Sequence, residues 1–418
     1  MSKPRRQPAI ETAPTRSAAW DRTTLYWVVC SIALVVLAFA LYAPSLKNGF
    51  VFDDADLIVN DHKLRSFWNL SSSLANNYRP LRTISYALDY AVWGLNPTGF
   101  RITNILIHAG NCVLALLVAR RVTGGARVAS LVAALVFAVH PVQVESVAYI
   151  SGRRDVLFTL FFLAGFLAYA QFRDATVRSR RYMWLGATAV LFLLSLASKE
   201  MAASFPLVCA LWDVWRATAL DDDNERPPLG DVIRRIAREG VILYAVAVAA
   251  LAGFAYYTIE IRRATTRLIG ADIEYWGGSA LNNLLTVPLT YAHYVFLTVW
   301  PRTLAAQYYG AFDPASGFSD PRVIPAVILL LALSVGSLWL IVRTTHRVAG
   351  FGVAWFLLTL LPASQIIPHH EIVADHYLYL PMFGAGLFLA GGLIALERAG
   401  APELWQRVAL GACIVAIA

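Results

Sequence analysis

Long apolar runs alternate with short polar turns along most of the chain. The runs lie at 25–43, 102–119, 128–139, 156–170, 184–197, 203–215, 241–257, 281–300, 323–342, 353–361 and 377–396. They are continuous and rich in Leu, Ala and Val. A β-barrel would instead show ~10-residue segments alternating apolar and polar. Several runs approach the roughly 20 residues that a spanning helix needs, so the pattern predicts an all-α, polytopic integral membrane protein of about 11 spanning helices. A further run at 408–418 is too short to span unaided and is expected to continue outward.

Composition agrees with this pattern. Of 418 residues, 58% are hydrophobic and only 15% charged, which a soluble domain cannot hide. The formal charge is +8, but where the charge sits says more. Arginines cluster at 5–22, at Arg120/Arg121/Arg127, at 173–181 and at 234–238, beside the ends of alternate runs. Such clusters mark the cytoplasmic side. Their dispersal among loops excludes nucleic acid as the expected partner. Residues 1–22 then form a basic cytoplasmic tail and residues 23–418 one polytopic domain. Its outer loops are 44–100, 259–280 and 301–322, and its cytoplasmic loop is 216–240. Parity fails at one place, because both ends of 281–322 are needed outside. This segment is expected to stay outside or dip and return, broken at Pro288 and Pro301. Within the long first outer loop, residues 84–93 suggest a helix lying at the interface. The four cysteines all lie in apolar runs without a CxxC partner and read as small core residues.

This topology places five polar turns on one side: the acidic corner at 49–56, the 140–155 turn, Lys199-Glu200, the 272–276 loop and the 369–379 turn. The first is Gly49-Phe50-Val51-Phe52-Asp53-Asp54, where carboxylates sit among apolar neighbours. A carboxylate against apolar walls gains basicity, which suits a general base acting on a hydroxyl. Adjacent side chains diverge, so one of Asp53 and Asp54 is expected to reach the site. Arg79 and Arg82 offer forks for phosphate oxygens, or anchor headgroups. His140, Glu145, Arg153, Arg154 and Asp155 crowd one turn, and ionisable groups at membrane depth are usually functional. Lys199-Glu200 is either a local ion pair or a phosphate contact. His369, His370, Glu371, Asp375 and His376 have metal-ligand chemistry but fit no short zinc spacing. No metal or cofactor is therefore expected, and hydrogen bonding to substrate or phosphate is the better reading. No Walker, GxGxxG or GxSxG element is present.

The stretches GFVFDDADLIVND, NNYRPLRTISYALDYAVWGLNPTGFRITNILIH, HPVQVESVAYISGRRDVL, SKEMAASFPLVCALWD and ADHYLYLP, in this order, resemble the transmembrane, TPR-containing O-mannosyltransferase (TMTC) family and its bacterial relatives. More distantly they resemble the GT-C glycosyltransferases. The resemblance implies a GT-C fold with its active site on the lumenal or periplasmic face. It also implies transfer of mannose from a polyprenyl-phosphate donor to Ser or Thr hydroxyls of a protein, or to another hydroxyl acceptor. Asp53 and Asp54 match the catalytic first-loop pair. The donor site would draw on Arg79, Arg82, His140, Glu145, Arg153, Asp155, Lys199, Glu200, His376 and Tyr379. Of these, Arg79, Arg82, Arg153, Lys199 and His376 are candidates to meet the departing phosphate. One base and a phosphate leaving group imply inversion. The ADHYLYLP stretch departs from an Arg-containing version common in animal members. The family's TPR array lies outside this sequence, and the topology would place it outside the membrane. The Ala- and Arg-rich composition suggests a bacterial inner membrane, with the endoplasmic reticulum as the eukaryotic equivalent. Two other readings are a flippase or transporter of a lipid-linked polar molecule and a non-catalytic anchor for a TPR domain. A transporter needs polar residues at the midplane of several spans, whereas here the charges sit at span ends.

Overall fold

The computed structural model describes residues 22–65, 79–218, 275–308, 310–369 and 371–400, with short stretches between 228 and 256. The basic tail up to 21, the 66–78 part of the first loop, most of the loops expected at 216–240 and 259–280, His370 and the run at 408–418 lie outside the described residues.

Local signals start the helices where the sequence changes character. After α1 (Arg22–Tyr42), proline at the first turn opens α2 (Pro80–Trp93), α3 (Pro97–Val122) and α12 (Pro381–Arg398), where its missing N–H costs nothing. The Asn96 side chain caps α3 by accepting from the Thr98 N–H at 3.0 Å. Further helices among the described residues are α4 (Arg127–Val139), the short α5 (Val144–Ala148), α6 (Arg153–Asp174), α7 (Arg178–Ser198), α8 (Phe205–Ala217), α9 (Ala280–Val299), α10 (Val323–Arg343) and α11 (Arg347–Leu360). Among the described residues five helices are long and apolar enough to cross a membrane. The count is 6 if Arg127–Val139 and Pro141–Ala148, bent by 50°, form one span.

Contacts fix which helix ends lie together. At one end, the Tyr26 hydroxyl donates to the Arg127 carbonyl at 3.2 Å, Arg347 to the Thr218 hydroxyl at 2.9 Å and Arg398 to the Thr345 carbonyl at 2.9 Å. At the other end, Thr98 donates to the Leu46 carbonyl at 2.9 Å, and His140 bonds the Thr298 carbonyl at 3.2 Å. Successive helices therefore run antiparallel between an arginine-bearing end and an end built from the polar turns.

Two elements depart from simple crossing. Helix α9 passes through Pro288 unbroken and stops at Val299, before Pro301. The break expected at Pro288 is absent because neighbouring segments hold the helix along its length. Asn283 donates to the Gln365 carbonyl, the Ala374 N–H donates to the Tyr294 hydroxyl, and Thr298 meets His140. Both ends of α9 thus touch turns at the polar end. Helix α2 buries Arg82, Thr83, Tyr86 and Asp89 and exposes Leu88 and Val92. An apolar outer face over a polar inner one is inexpensive only against lipid.

The core joins α6, α8, α11 and α12 through Phe166, Trp212, Phe351, Trp355 and Phe383, whose rings meet edge to face. Small residues let α11 and α12 touch backbone to backbone. A Cβ on Gly384 would stand 2.6 Å from the Gly352 carbonyl oxygen and 2.7 Å from the Phe356 nitrogen, whereas nothing lies within 4 Å of one on Gly392. Gly384→Ala is therefore expected to destabilise by about 1–3 kcal/mol through overpacking. In a melting experiment on the purified protein it should unfold well below wild type, with Gly392→Ala close to it.

Candidate functional site

The acidic corner is built by a buried arginine in the first part of α3. Arg101 donates to the Ala148 carbonyl at 2.9 Å and, through its terminal nitrogens, to the carbonyls of Asn48 and Gly49. It thereby ties the exit of α1 to the turn before α6. Phe52 then takes a left-handed conformation with φ 47°, rare for a non-glycine residue and associated with functional turns. The two carboxylates diverge beyond it. That of Asp54 is buried and accepts from the Ser151 N–H at 2.9 Å, the Ser151 hydroxyl at 2.7 Å and the Val51 N–H at 3.1 Å. Burial pushes its carboxyl up, opposed by these hydrogen bonds and by Arg101. Asp53 is exposed, and its backbone N–H donates to the Tyr149 hydroxyl at 3.1 Å.

Residues 149–152 thus hold the acidic corner, and the same strand of chain continues into Arg153, Arg154 and Asp155. Gly152 is required here, since a Cβ would meet the Ser146 carbonyl oxygen at 2.4 Å. On the first turn of α6 the three side chains fan out. Arg153 points into the bundle. It pairs with Asp89 at 2.6 Å, donates to the Phe100 carbonyl at 2.8 Å and the Ser85 hydroxyl at 3.3 Å, and also bonds Asn104. Asp155 accepts from the Lys199 ammonium at 2.5 Å. Arg154 lies between these directions. Among the described residues its ion pair is a 3.5 Å approach to Asp155, and its Nε has no hydrogen-bond partner. Glu371, Glu145 and Tyr377 surround it.

Lys199 follows the end of α7 in extended backbone, with its ammonium 4.9 Å from the centre of the Tyr377 ring. Burial pulls its pKa down, against the pull of Asp155. Glu200 turns the other way and takes a two-pronged grip from Arg79, at 3.1 and 2.5 Å. His369 approaches Glu200 at 3.6 Å and bonds the Tyr377 hydroxyl at 2.8 Å. Burial works against the Glu200 charge, but Arg79, His369 and Lys199 hold its carboxyl well below the usual range. His376 bonds Glu145 twice, through Nδ1 at 2.7 Å and its backbone N–H at 2.8 Å, and its Nε2 faces Glu371 at 3.7 Å. Burial, reinforced by Lys199 and Arg154, keeps the imidazole neutral at physiological pH. Beside it, Asp375 accepts from the Tyr308 hydroxyl at 2.6 Å and the Ala305 N–H at 3.1 Å. The result is one connected polar cluster. Its floor of Asp155, Lys199, Arg79 and His376 is buried, and its upper members Glu145, Arg154, Glu200, His369 and Glu371 are partly open.

Of the residues singled out in the sequence, Arg79, Glu145, Asp155, Lys199, Glu200 and His376 meet in this cluster, with Asp53 and Asp54 anchored on its 149–155 edge. Four others lie elsewhere. His140 ends α4, accepting from the Val142 N–H at 3.3 Å through Nδ1. Tyr379 points into α3, where its hydroxyl meets His108 at 2.7 Å and Asn111 at 3.1 Å. Arg153 is committed to Asp89, and Arg82 is buried beside the Tyr86 ring at 6.0 Å. The sequence did not separate Arg154 from Arg153, because neighbours on a helix differ only in direction. It also passed over Arg101, which stands just before the apolar run at 102–119 and falls inside the helix only because α3 starts at Pro97. Ser151 and Tyr149 carried no signal. Among the described residues no three His, Cys, Asp or Glu side chains converge as metal ligands.

Residues 46–262 match the family described as dolichyl-phosphate-mannose-protein mannosyltransferase. The chain is 28% identical over 426 residues to Protein O-mannosyl-transferase TMTC4 of Mus musculus, covering 89% of this chain and 56% of that protein. It is 26% identical over 453 residues to Protein O-mannosyl-transferase Tmtc3 of Drosophila melanogaster, covering 92% and 48%. The chain thus spans about half the length of the curated relatives it matches. A solved structure, that of ArnT from Cupriavidus metallidurans bound to undecaprenyl phosphate, superposes with a TM-score of 0.49 at 14% identity, covering 89% of this chain and 60% of that one.

The cluster also has a pH signature. Burial, with Glu145 nearby, pushes Asp375 from 3.8 to about 7, against its hydrogen bond from Tyr308. A raised acid contributes stability that is present below its unfolded value and lost as the pH rises through its folded value. The melting temperature of wild type relative to Asp375→Asn should therefore fall between pH 3.8 and about 7 and be flat above. A difference independent of pH would remove Asp375 as the titrating group.

Proposed function

The chain belongs to the dolichyl-phosphate-mannose-protein mannosyltransferase family, and on that premise we propose that it transfers mannose from a polyprenyl-phosphate donor to a Ser or Thr hydroxyl of a protein acceptor. The reaction takes place on the outer face of the membrane, opposite the arginine-bearing end. The observation that carries this reading is the divergence of Asp53 and Asp54. One carboxylate is open, while the other is locked onto the turn that carries Arg154 and Asp155.

In this reading Asp53 accepts the proton of the acceptor hydroxyl as its oxygen attacks the anomeric carbon. The bond from that carbon to the phosphate oxygen breaks, and polyprenyl phosphate leaves with the bonding electrons. A single displacement inverts the anomeric centre. The charge growing on the leaving phosphate meets Arg154, with Lys199 behind it. Preorganised cations in a dry site are effective at this task. Asp54 positions Asp53 by holding the corner to Ser151. Arg79 holds Glu200 and, through His369 and Tyr377, the wall around Lys199. His376, neutral and bonded to Glu145, is a hydrogen-bonding group of that wall. Neither a metal ion nor a cofactor is required by these steps.

Asp53→Asn should lower transfer from polyprenyl-phosphate mannose to a Ser/Thr peptide by about 10²–10⁴-fold, the usual range for a lost general base, and leave the melting temperature unchanged. Asp54→Asn should cost about 1–3 kcal/mol of stability, because its buried donors lose an acceptor. Wild-type rates in Asp53→Asn would sink the assignment of the base. Arg154→Gln should lower transfer by about 10²–10³-fold and fold normally. Arg153→Gln should destabilise by about 3–5 kcal/mol by stranding Asp89. Undiminished transfer in Arg154→Gln would remove it from the phosphate site.

A further inference from the structure

The aromatics of the acidic corner diverge as its carboxylates do. Phe50 turns inward onto the small apolar cluster of Ile58, Tyr86 and Phe100, with its ring edge-on to Phe100 at 5.8 Å. Phe52 turns outward and is 65% exposed. Its ring meets that of the half-buried Tyr149 edge to face at 6.2 Å. The backbone holds this arrangement firmly. The Asp54 N–H donates to the Val51 carbonyl at 3.0 Å, the Ala55 N–H to the Phe52 carbonyl at 3.2 Å and the Asp53 N–H to the Tyr149 hydroxyl.

An exposed ring adds nothing to the core, so the left-handed backbone of Phe52 is not held for packing. Among the described residues one other non-glycine residue has a positive φ, Gln365 at 68°. Its side-chain amide accepts from the His369 N–H at 2.8 Å and donates to the Glu371 carbonyl at 2.8 Å. Both departures thus border the polar cluster, and strain of this kind is held where ligands are clamped. Lipid is a poor partner for the Phe52 ring. Asp53 and Asp56 are exposed beside it, and carboxylates are costly to sink into a bilayer. An acceptor chain lying across Asp53 is the better partner. Consecutive Cα atoms stand about 3.8 Å apart. A side chain resting on Phe52 while a hydroxyl meets Asp53 therefore comes from a residue beside the acceptor Ser or Thr.

We propose that Phe52 and Tyr149 form a subsite for an apolar or aromatic side chain flanking the acceptor hydroxyl, and so select which Ser or Thr is modified. The proposal rests on the acceptor assigned above and adds which side chain accompanies its hydroxyl. The Tyr149 hydroxyl ties the two rings to the Asp53 backbone. A side chain seated on the rings therefore brings the neighbouring hydroxyl to the base.

The test uses the full chain in lipid nanodiscs, polyprenyl-phosphate mannose, and peptides in which a single Thr is flanked on both sides by Phe, Leu or Ala. The same peptides with Val in place of Thr cannot accept a sugar and report affinity alone. In wild type, kcat/KM should be about tenfold higher for the Phe and Leu peptides than for the Ala peptide, and the Val peptides should follow the same order in Kd. Phe52→Gly removes the ring and suits the left-handed backbone, so it should fold, and both ratios should fall close to one. Tyr149→Phe keeps the rings and should keep both ratios. So should Phe318→Ala, which removes an exposed ring of the 301–322 loop. Transfer to all peptides with wild-type ratios near one, or ratios unchanged in Phe52→Gly, would overturn the subsite and leave the reaction standing. An equal loss of transfer to every peptide in Phe52→Gly would also overturn it, as the mark of a ring that anchors the corner in lipid. The expected order of affinities without transfer to any peptide would overturn the reaction and leave the subsite standing. Neither transfer nor an order of affinities would overturn both.

Discussion

Lys199 and Asp155 meet at 2.5 Å where both are buried, and the architecture of the polar end depends on such pairings. An unpaired charge there would cost several kcal/mol, so a buried cation must find an anion, or a set of carbonyls as Arg101 does, when the helices pack. Arg153 finds Asp89 on α2, Arg79 finds Glu200 after α7, and Lys199 finds Asp155 on α6. Each pair joins segments far apart in sequence. Together they hold the ends of α2, α6 and α7 in one arrangement, which apolar packing alone would leave free to slide.

The same economy shapes the site. Where a charge is fully partnered, as Arg153 is, it has little left to offer a substrate. Where partnering is incomplete, as at the 3.5 Å approach of Arg154 to Asp155, a buried guanidinium nitrogen is left without a hydrogen-bond partner among the described residues. The acidic corner shows the same contrast. Asp54 spends its oxygens on Ser151 and Val51, and this leaves Asp53 as the exposed carboxylate at the site. Arg101 underlies that arrangement, because it binds the chain on both sides of the corner and its charge favours the ionised form of Asp54.

Much of the site was legible as a set of turns. Charge position alone put Asp53-Asp54, 140–155, Lys199-Glu200 and 369–379 on one side, and the helix-end contacts among the described residues bring these turns to one end of the bundle. Periodicity and charge see which end of a helix a residue occupies, so this part was accessible. Roles within the turns were less so. His140 and Tyr379 looked equivalent to Glu145 and His376, yet the first closes α4 and the second is bonded inside α3. The direction of a side chain around a helix end depends on a few degrees of backbone rotation, and local sequence does not encode it. The expected break at Pro288 fails for a related reason, since tertiary contacts along α9 outweigh the local penalty of a proline.

By itself the sequence determined an all-helical integral membrane protein, the alternation of its helices, the end at which its ionisable turns gather and the family to which it belongs. These follow from hydrophobic run length, the placement of arginines and the order of a few motifs, all of which are local or additive along the chain. Only the tertiary structure decided which carboxylate is open, which arginine is fully paired and which keeps an unpartnered nitrogen, and that α9 and α10 leave an apolar crevice between them. Those outcomes depend on pairing between segments distant in sequence, where burial makes each charge choose one partner over all others.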